Sequence, residues 1–324
     1  MSLPNFSVTT TAEEVADAFH AEIHGKNVLI TGTSLNGIGF ESARAIAKHA
    51  NLVIIAGYNP ERLALSEAAI KKEFPAANIR PLIVDMASLA SVRKAATEVN
   101  AYSEPLHVLI HNAAAPSAAF KLTVDNFEAQ IATDHIGPFL LTKLLATKLL
   151  AAGTSSYVPR VVFVSSNAQA MGTGPDFDAI RTPPDAAKYD AMTAYAQAKS
   201  ANVLTARELS KRSAGRINAY SLHPGTVYTN FHMHPDVVPL FQGYGILGSD
   251  GKPSTEHMKW KTHTQGGSTT VAAAFDTRLN DQPGVYLTDC VPAEKDVAPH
   301  SKDEKNAERL WAVTEDVIGE RFAF

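Results

Sequence analysis

Cysteine is almost absent from this chain: among 324 residues there is one, Cys290. A single thiol excludes an internal disulfide framework and a cysteine-based zinc site. Neither sign of charge dominates. The 29 Lys and Arg stand against 33 Asp and Glu, a net charge of -4, which speaks against gripping nucleic acid or an anionic membrane by bulk electrostatics. Long hydrophobic runs are missing too. A membrane-spanning helix needs roughly 18 uninterrupted apolar residues, and the greasiest stretch, 138–152, is broken by Lys143, Lys148 and threonines, so it reads as a buried helix. Residues 1–24 have neither the basic start nor the apolar core of a secretory signal. These absences predict a cytoplasmic protein with no membrane span and no nucleic-acid partner. Apolar residues, by contrast, are plentiful: 45% against 19% charged, enough for a large core and too many for bulk disorder.

At about 150 residues per domain, the length allows about two domains. The pattern reduces this to one. Short apolar runs at 27–31, 52–56, 79–84, 106–110, 161–165, 217–222 and 284–287 alternate with helical stretches near 38–49, 60–73, 88–99, 124–151, 188–213 and 265–279. Near-continuous apolar strands suit a parallel sheet covered on both faces, and strand–helix alternation implies right-handed crossovers. The expected architecture is α/β: a doubly wound, Rossmann-type single domain over 25–324 with a seven-stranded parallel sheet. Three stretches fall outside the alternation: a leader at 1–24, an insertion at 167–187, and a Pro-, Gly- and His-rich excursion at 223–264. Long irregular segments beside the carboxyl ends of strands are commonly functional, so the excursion is expected to be a substrate lid.

The first strand runs into Gly32-Thr33-Ser34-Leu35-Asn36-Gly37-Ile38-Gly39 and then a helix. Glycines at such a turn let the backbone approach a pyrophosphate resting on the N–H groups of a helix start. In this context, first strand before and helix after, the pattern predicts a nucleotide site. A carboxylate at the end of the second strand would hold the ribose 2′-hydroxyl of NAD, yet positions 57–59 carry none. Tyr58, Asn59 and Arg62 are placed instead to receive a 2′-phosphate, so NADP(H) is expected in preference to NAD(H). Asp85, after the third strand, suits the adenine amino group, or a helix N-cap.

Tyr195 and Lys199 stand at i and i+4, on one face of a helix. A phenol, with a reference pKa of about 10, serves acid–base chemistry near neutrality only where a cation beside it favours its ionised form. A Tyr–Lys pair therefore suits proton exchange with the oxygen of a carbonyl that gains or loses a hydride. Ser166, at the end of the fifth strand, suits a hydrogen bond to that oxygen, and its neighbour Ser165 is an alternative.

These motifs together resemble the short-chain dehydrogenase/reductase family. They are TGTSLNGIG at 31–39, VDMASLASVR at 84–93, HNAAA at 111–115, VSS at 164–166, YAQAK at 195–199 and HPGTVYTN at 223–230. The likeness covers roughly 25–230, with a trace to 290. The stretch 189–195 and GVYLTDC at 284–290 look like the retinol-dehydrogenase-like branch and related fungal reductases. The resemblance implies roles. Gly32, Gly37 and Gly39, with Ser34, Asn36 and Ile38, would cradle the pyrophosphate, and Asp85 with Met86 would hold adenine. Asn112 and Ala113 would sit beside the nicotinamide ribose. Lys199 would contact the ribose hydroxyls while tuning Tyr195. Pro224 and Gly225 would pass under the nicotinamide, with Val227 and Thr229 near its carboxamide. Four departures stand out. Four residues rather than three separate Gly32 from Gly37, and His111 and Ala114 replace residues of the usual Asn-Asn-Ala-Gly. Asp134 takes the place of the Asn that supports a proton relay to the lysine, and Ser166 and Tyr195 lie further apart than usual, with the 167–187 insertion between them.

His223, His232 and His234 have no accompanying cysteine or well-spaced carboxylate, so no metal site is assigned. Apolar residues crowd the excursion, among them Phe231, Val237, Phe241, Ile246 and Trp260. They suit a medium or large hydrophobic ketone, aldehyde or alcohol. The resemblance also allows a homodimer paired through the helices at 124–151 and 188–213. Two rival readings are a non-catalytic NADP(H)-sensing regulator, which the Tyr–Lys pair opposes, and an extended-type sugar-nucleotide epimerase or dehydratase, which needs a larger segment after Gly225.

Overall fold

The computed structural model describes residues 4–256 and 258–324. The strands, in chain order, are β1 (Asn27–Thr31), β2 (Leu52–Gly57), β3 (Ile79–Ile83), β4 (Val108–His111), β5 (Arg160–Val164), β6 (Asn218–His223), β7 (Thr226–Val227), β8 (Trp260–Lys261), β9 (Tyr286–Thr288) and β10 (Val291–Pro292). One sheet has eight strands in the order β10-β9-β6-β5-β4-β1-β2-β3, while β7 and β8 form a separate parallel ribbon. From β3 to β9 the sheet is parallel, with the register of a doubly wound fold. All five residues of β1 and of β5 are buried, as two covered faces require.

The expected count of seven strands is corrected to eight. β10 folds back antiparallel on β9 through Asp289 and Cys290, whose φ values of 51° and 67° are both left-handed. Two consecutive positive-φ residues make the tight turn whose twist suits a hairpin. Pro292, which lacks an N–H, sits where a sheet tolerates it, on the edge.

One face of the sheet carries α1 (Ala12–Ala18), α2 (Ile38–Ala47), α3 (Pro60–Glu73) and α7 (His263–Phe275). The other carries α4 (Leu89–Ala101), α5 (Gly137–Ala151), α6 (Ala191–Ser213) and α8 (Glu304–Ile318). Among the described residues no helix is long and apolar enough to cross a membrane. Within 1–24, a reciprocal Thr11–Glu14 cap starts α1, and α1 packs on α7 with Val15, Ala16, Phe19 and Ile23 buried. Along α6, α8 inserts Trp311 against Phe139 of α5, with ring centroids 4.7 Å apart. The helix expected at 124–151 is broken. A short turn (Ala129–Ile131) widens into a π-helical segment (Ala132–Ile136) before α5 begins. Pro138 cannot donate the bond that would tighten this turn, and a Cβ on Gly137 would collide with the Met86 carbonyl.

Candidate active site

In this strand order the chain reverses direction between β1 and β4, and the crevice at their carboxyl ends is where such sheets take ligands. The glycine turn fills its rim. Gly32 has φ of +73°, and a Cβ there would lie 2.8 Å from the Ala113 backbone; a methyl on Gly39 would overlap the Asn112 amide and the Gly32 carbonyl. Asn36 takes a left-handed φ of 58°, which Asn tolerates better than most residues. Gly37 is the N-cap of α2, and no side chain caps the helix start. Free N–H groups at an uncapped helix start, approached over bare glycine, fit the phosphates of a dinucleotide.

Asn112 binds inward. Its amide donates to the carbonyls of Thr31 and Gly32, both at 3.0 Å, and its backbone N–H donates to the Thr31 hydroxyl. Ala113 donates to the same hydroxyl. Asn112 therefore rivets β4 to the glycine turn. Asp85 is exposed and accepts the Ala87 N–H; the cap of α4 is Ser88, which corrects the alternative reading of Asp85 as that cap. Neighbouring Met86 is buried. At the end of β2, Asn59 caps α3 by accepting the Arg62 N–H at 3.0 Å. Tyr58 and Arg62 project outward, Tyr58 being 65% exposed.

The Tyr195, Lys199 and Asp134 group lies across the crevice. Lys199, only 3% exposed, puts its ammonium 2.9 Å from a carboxylate oxygen of Asp134 and donates to the Val164 carbonyl at 3.2 Å. The other Asp134 oxygen accepts the Ala115 N–H at 2.9 Å. Burial raises the Asp134 carboxyl above its ordinary range despite the lysine beside it. For Lys199 burial acts downward, and the Asp134 carboxylate and the Tyr195 phenol outweigh it, leaving the ammonium above its usual value. The upward shift on Lys199 favours its charged form, while the upward shift on Asp134 is the cost of burying its carboxylate. The lysine Nζ is 5.3 Å from the centre of the Tyr195 ring. The two candidate serines are separated by their partners. Ser165 is buried and donates its hydroxyl to the Lys199 carbonyl at 2.7 Å. Ser166 is half-buried and caps the short turn at 167–170 by accepting the Ala168 N–H at 3.2 Å.

Beyond Pro224, Gly225 adopts φ of +91°, and the Lys261 side chain occupies the space where its Cβ would stand. Lys261 reaches on to Asp289 at 2.5 Å, tying the end of the excursion to the β9–β10 turn. Val227 and Thr229 are buried. The excursion then packs on itself around Val237, Phe241 and Leu247, with Met192 of α6, Phe231 and Trp260 joining the cluster. The Phe231 ring lies 5.7 Å from that of Tyr195. His232 sits among Tyr228, Phe241 and Trp260, and burial pushes its imidazole down to about 4. His223 stands apart, facing the Asn167 N–H. Three contacts that sequence reasoning missed, the Val164 carbonyl, the Ala115 N–H and the Thr31 hydroxyl, belong to ordinary residues and carry no local signal.

A Rossmann-type sheet, a glycine-lined helix start and a Tyr–Lys–Asp group facing it define a nucleotide-dependent class of α/β protein. Comparison with known proteins makes the class specific. Residues 26–175 match the family model described as short chain dehydrogenase. The WW domain-containing oxidoreductase of Homo sapiens is 33% identical over 97% of this chain and 72% of its own length. The short-chain dehydrogenase TIC 32 A, chloroplastic, of Brassica napus is 34% identical, over 94% of this chain and 92% of that protein. A crystal structure of an uncharacterised protein from Mycobacterium paratuberculosis has a TM-score of 0.68 at 27% identity, covering 94% of this chain and 98% of that one. The chain belongs to the short-chain dehydrogenase/reductase family.

Proposed function

We propose that the protein is an oxidoreductase that moves a hydride between a nicotinamide cofactor and the carbonyl or alcohol carbon of a hydrophobic ketone or aldehyde. The observation that carries this reading is the buried Lys199–Asp134 ion pair beside Tyr195, at the edge of the glycine crevice. Gly32, Ser34, Asn36, Gly37, Ile38 and Gly39 would hold the pyrophosphate, Asp85 and Met86 the adenine, and Pro224, Gly225, Val227 and Thr229 the nicotinamide end. Tyr58 and Arg62, exposed where a carboxylate would select NAD, support NADP(H) as the preferred form. When bound, the nicotinamide supplies or accepts the hydride. The chain's own residues manage the proton. Tyr195 gives it to, or takes it from, the substrate oxygen, Lys199 favours the ionised phenol by its charge, and Ser166 holds the same oxygen by its hydroxyl. Ser165, bonded to the Lys199 carbonyl, is left out of this assignment. Asp134 keeps the lysine charged and in place.

The apolar cluster around Phe231 and Met192 supports a greasy substrate. An overall identity of 31% over 94% of this chain to retinol dehydrogenase 12 of Homo sapiens adds to that support. Pairing of two copies through α5 and α6 would have to displace α8, so its position supports a single-chain enzyme, which sedimentation measures directly. The decisive test is Tyr195→Phe, assayed with NADPH and NADH against aliphatic, aromatic and steroid-like carbonyls. Turnover should be lost with cofactor affinity within roughly a few fold of the parent; near-normal rates would sink the assignment.

A further inference from the structure

Asn230 stands between Thr229 and Phe231, where the chain leaves the crevice for the apolar excursion, and it reaches back to the glycine turn. Its side-chain amide donates to the Leu35 carbonyl at 2.5 Å. Its backbone N–H donates to the Asn36 carbonyl at 3.3 Å. Leu35 and Asn36 immediately precede Gly37, the residue that opens α2, so both acceptors belong to the segment assigned to the phosphates. The residues on either side of Asn230 point elsewhere. Thr229 is buried, and Phe231 lays its ring beside Tyr195. The segment is also stiff. His232 and Met233 donate to the Thr229 carbonyl at 2.9 and 3.2 Å, and Phe231 donates to the Thr229 hydroxyl at 3.3 Å. A shift at Asn230 is therefore passed to Phe231.

We propose that Asn230 is a positioning residue that couples the lid to the phosphate turn, so that an occupied turn holds Phe231 and the cluster behind it closed over Tyr195. This rests on the reading above that the turn takes a dinucleotide. The coupling is reciprocal by thermodynamic necessity: whatever cofactor binding adds to lid closure, lid closure adds to cofactor affinity. One hydrogen bond sets its scale, a few fold to about tenfold in an equilibrium constant. The excursion has further polar ties, from Asp236 to Lys121 in the loop after β4 and from Lys261 to Asp289 at the β9–β10 turn, and both leave the glycine turn alone. Loss of Asn230 should therefore loosen the lid's response to cofactor without freeing the lid altogether.

The test is thermolysin cleavage of the full chain within 228–256, with and without NADPH, alongside NADPH titration by fluorescence. In the parent, saturating NADPH should slow cleavage by about tenfold. In Asn230→Ala the protection should fall to about twofold or less, with NADPH Kd raised by roughly fivefold and the melting temperature of the free protein unchanged. Asn230→Gln, which keeps the amide donor, should restore part of the protection. With a carbonyl substrate, Asn230→Ala should raise KM several-fold more than it lowers kcat. Equal protection in parent and Asn230→Ala would overturn the coupling while leaving the functional reading intact. Binding of neither NADPH nor NADH by the parent would take down both.

Discussion

At the crevice between β1 and β4, position is fixed by collisions and by polar groups that have no alternative partner. Gly32 and Gly39 admit no side chain, Asn112 bonds the Thr31 and Gly32 carbonyls, and Lys199 and Asp134 face each other with almost no access to water. In the excursion that faces it, residues 228–256, regular structure is one six-residue helix, and apolar rings around Phe241 hold the segment together. The first region tolerates no change of shape; the second is a set of mutually replaceable contacts. Under the proposed function, the chemistry would sit in the first region and discrimination between substrates in the second.

The contrast can be broken by mutation. Lys199→Met should have the largest effect on stability, because it strands a buried carboxylate. Denaturant unfolding should register a loss of about 3–5 kcal/mol, and adding Asp134→Asn should recover a substantial part of it. Acid is the next lever. His111, at the end of β4, and His135, in the π-helical segment, are fully buried and pushed by burial down to about 3, against an ordinary value of 6.5. Both are neutral in the fold and protonate first in the unfolded chain. Their stabilisation is therefore complete above about pH 6.5 and fades as pH falls toward 3, by about 1.4 kcal/mol per pH unit for each proton. The melting temperature should fall steadily from pH 6.5 to 4.5, and a flat profile would contradict their burial as neutral rings. Gly39→Ala should cost about 2 kcal/mol by overpacking and weaken NADPH binding measured by titration. The smallest stability effect should come from the lid. Phe231→Ala should move the melting temperature by no more than roughly 2 °C while raising KM for a hydrophobic carbonyl by about tenfold. A lid variant that unfolds the body would erase the distinction.

Legibility in the sequence follows the same division. The helix expected at 60–73 has those bounds because its signals are local: Asn59 caps it and Pro60 suits its first turn. The runs of β1, β2, β4 and β5 are legible because burial leaves them nearly all apolar. The β9–β10 hairpin was not, since its turn carries Asp-Cys where Asn-Gly is the usual signature. The helix α8 had its cap and its stop in view, Asp303 and Gly319, but the strand–helix alternation ends before it. Adjacent hydroxyls at 165 and 166 differ only in which way a strand end points them, a property invisible in composition. The Asp134–Lys199 contact joins two distant helical segments and depends on the π-helical widening at Ala132–Ile136, which no periodic pattern announces.

The way α8 completes one side of the molecule bears on how the chain is made. Trp311 and Phe322 belong to the same buried cluster as Leu29 of β1 and Leu109 of β4. A nascent chain exposes the early strands to water well before those two rings leave the ribosome. Until they dock, the layer over α5 remains open and sticky. Synthesis therefore passes through a long interval in which the sheet and the helices on that face are already made and the layer that covers them is not.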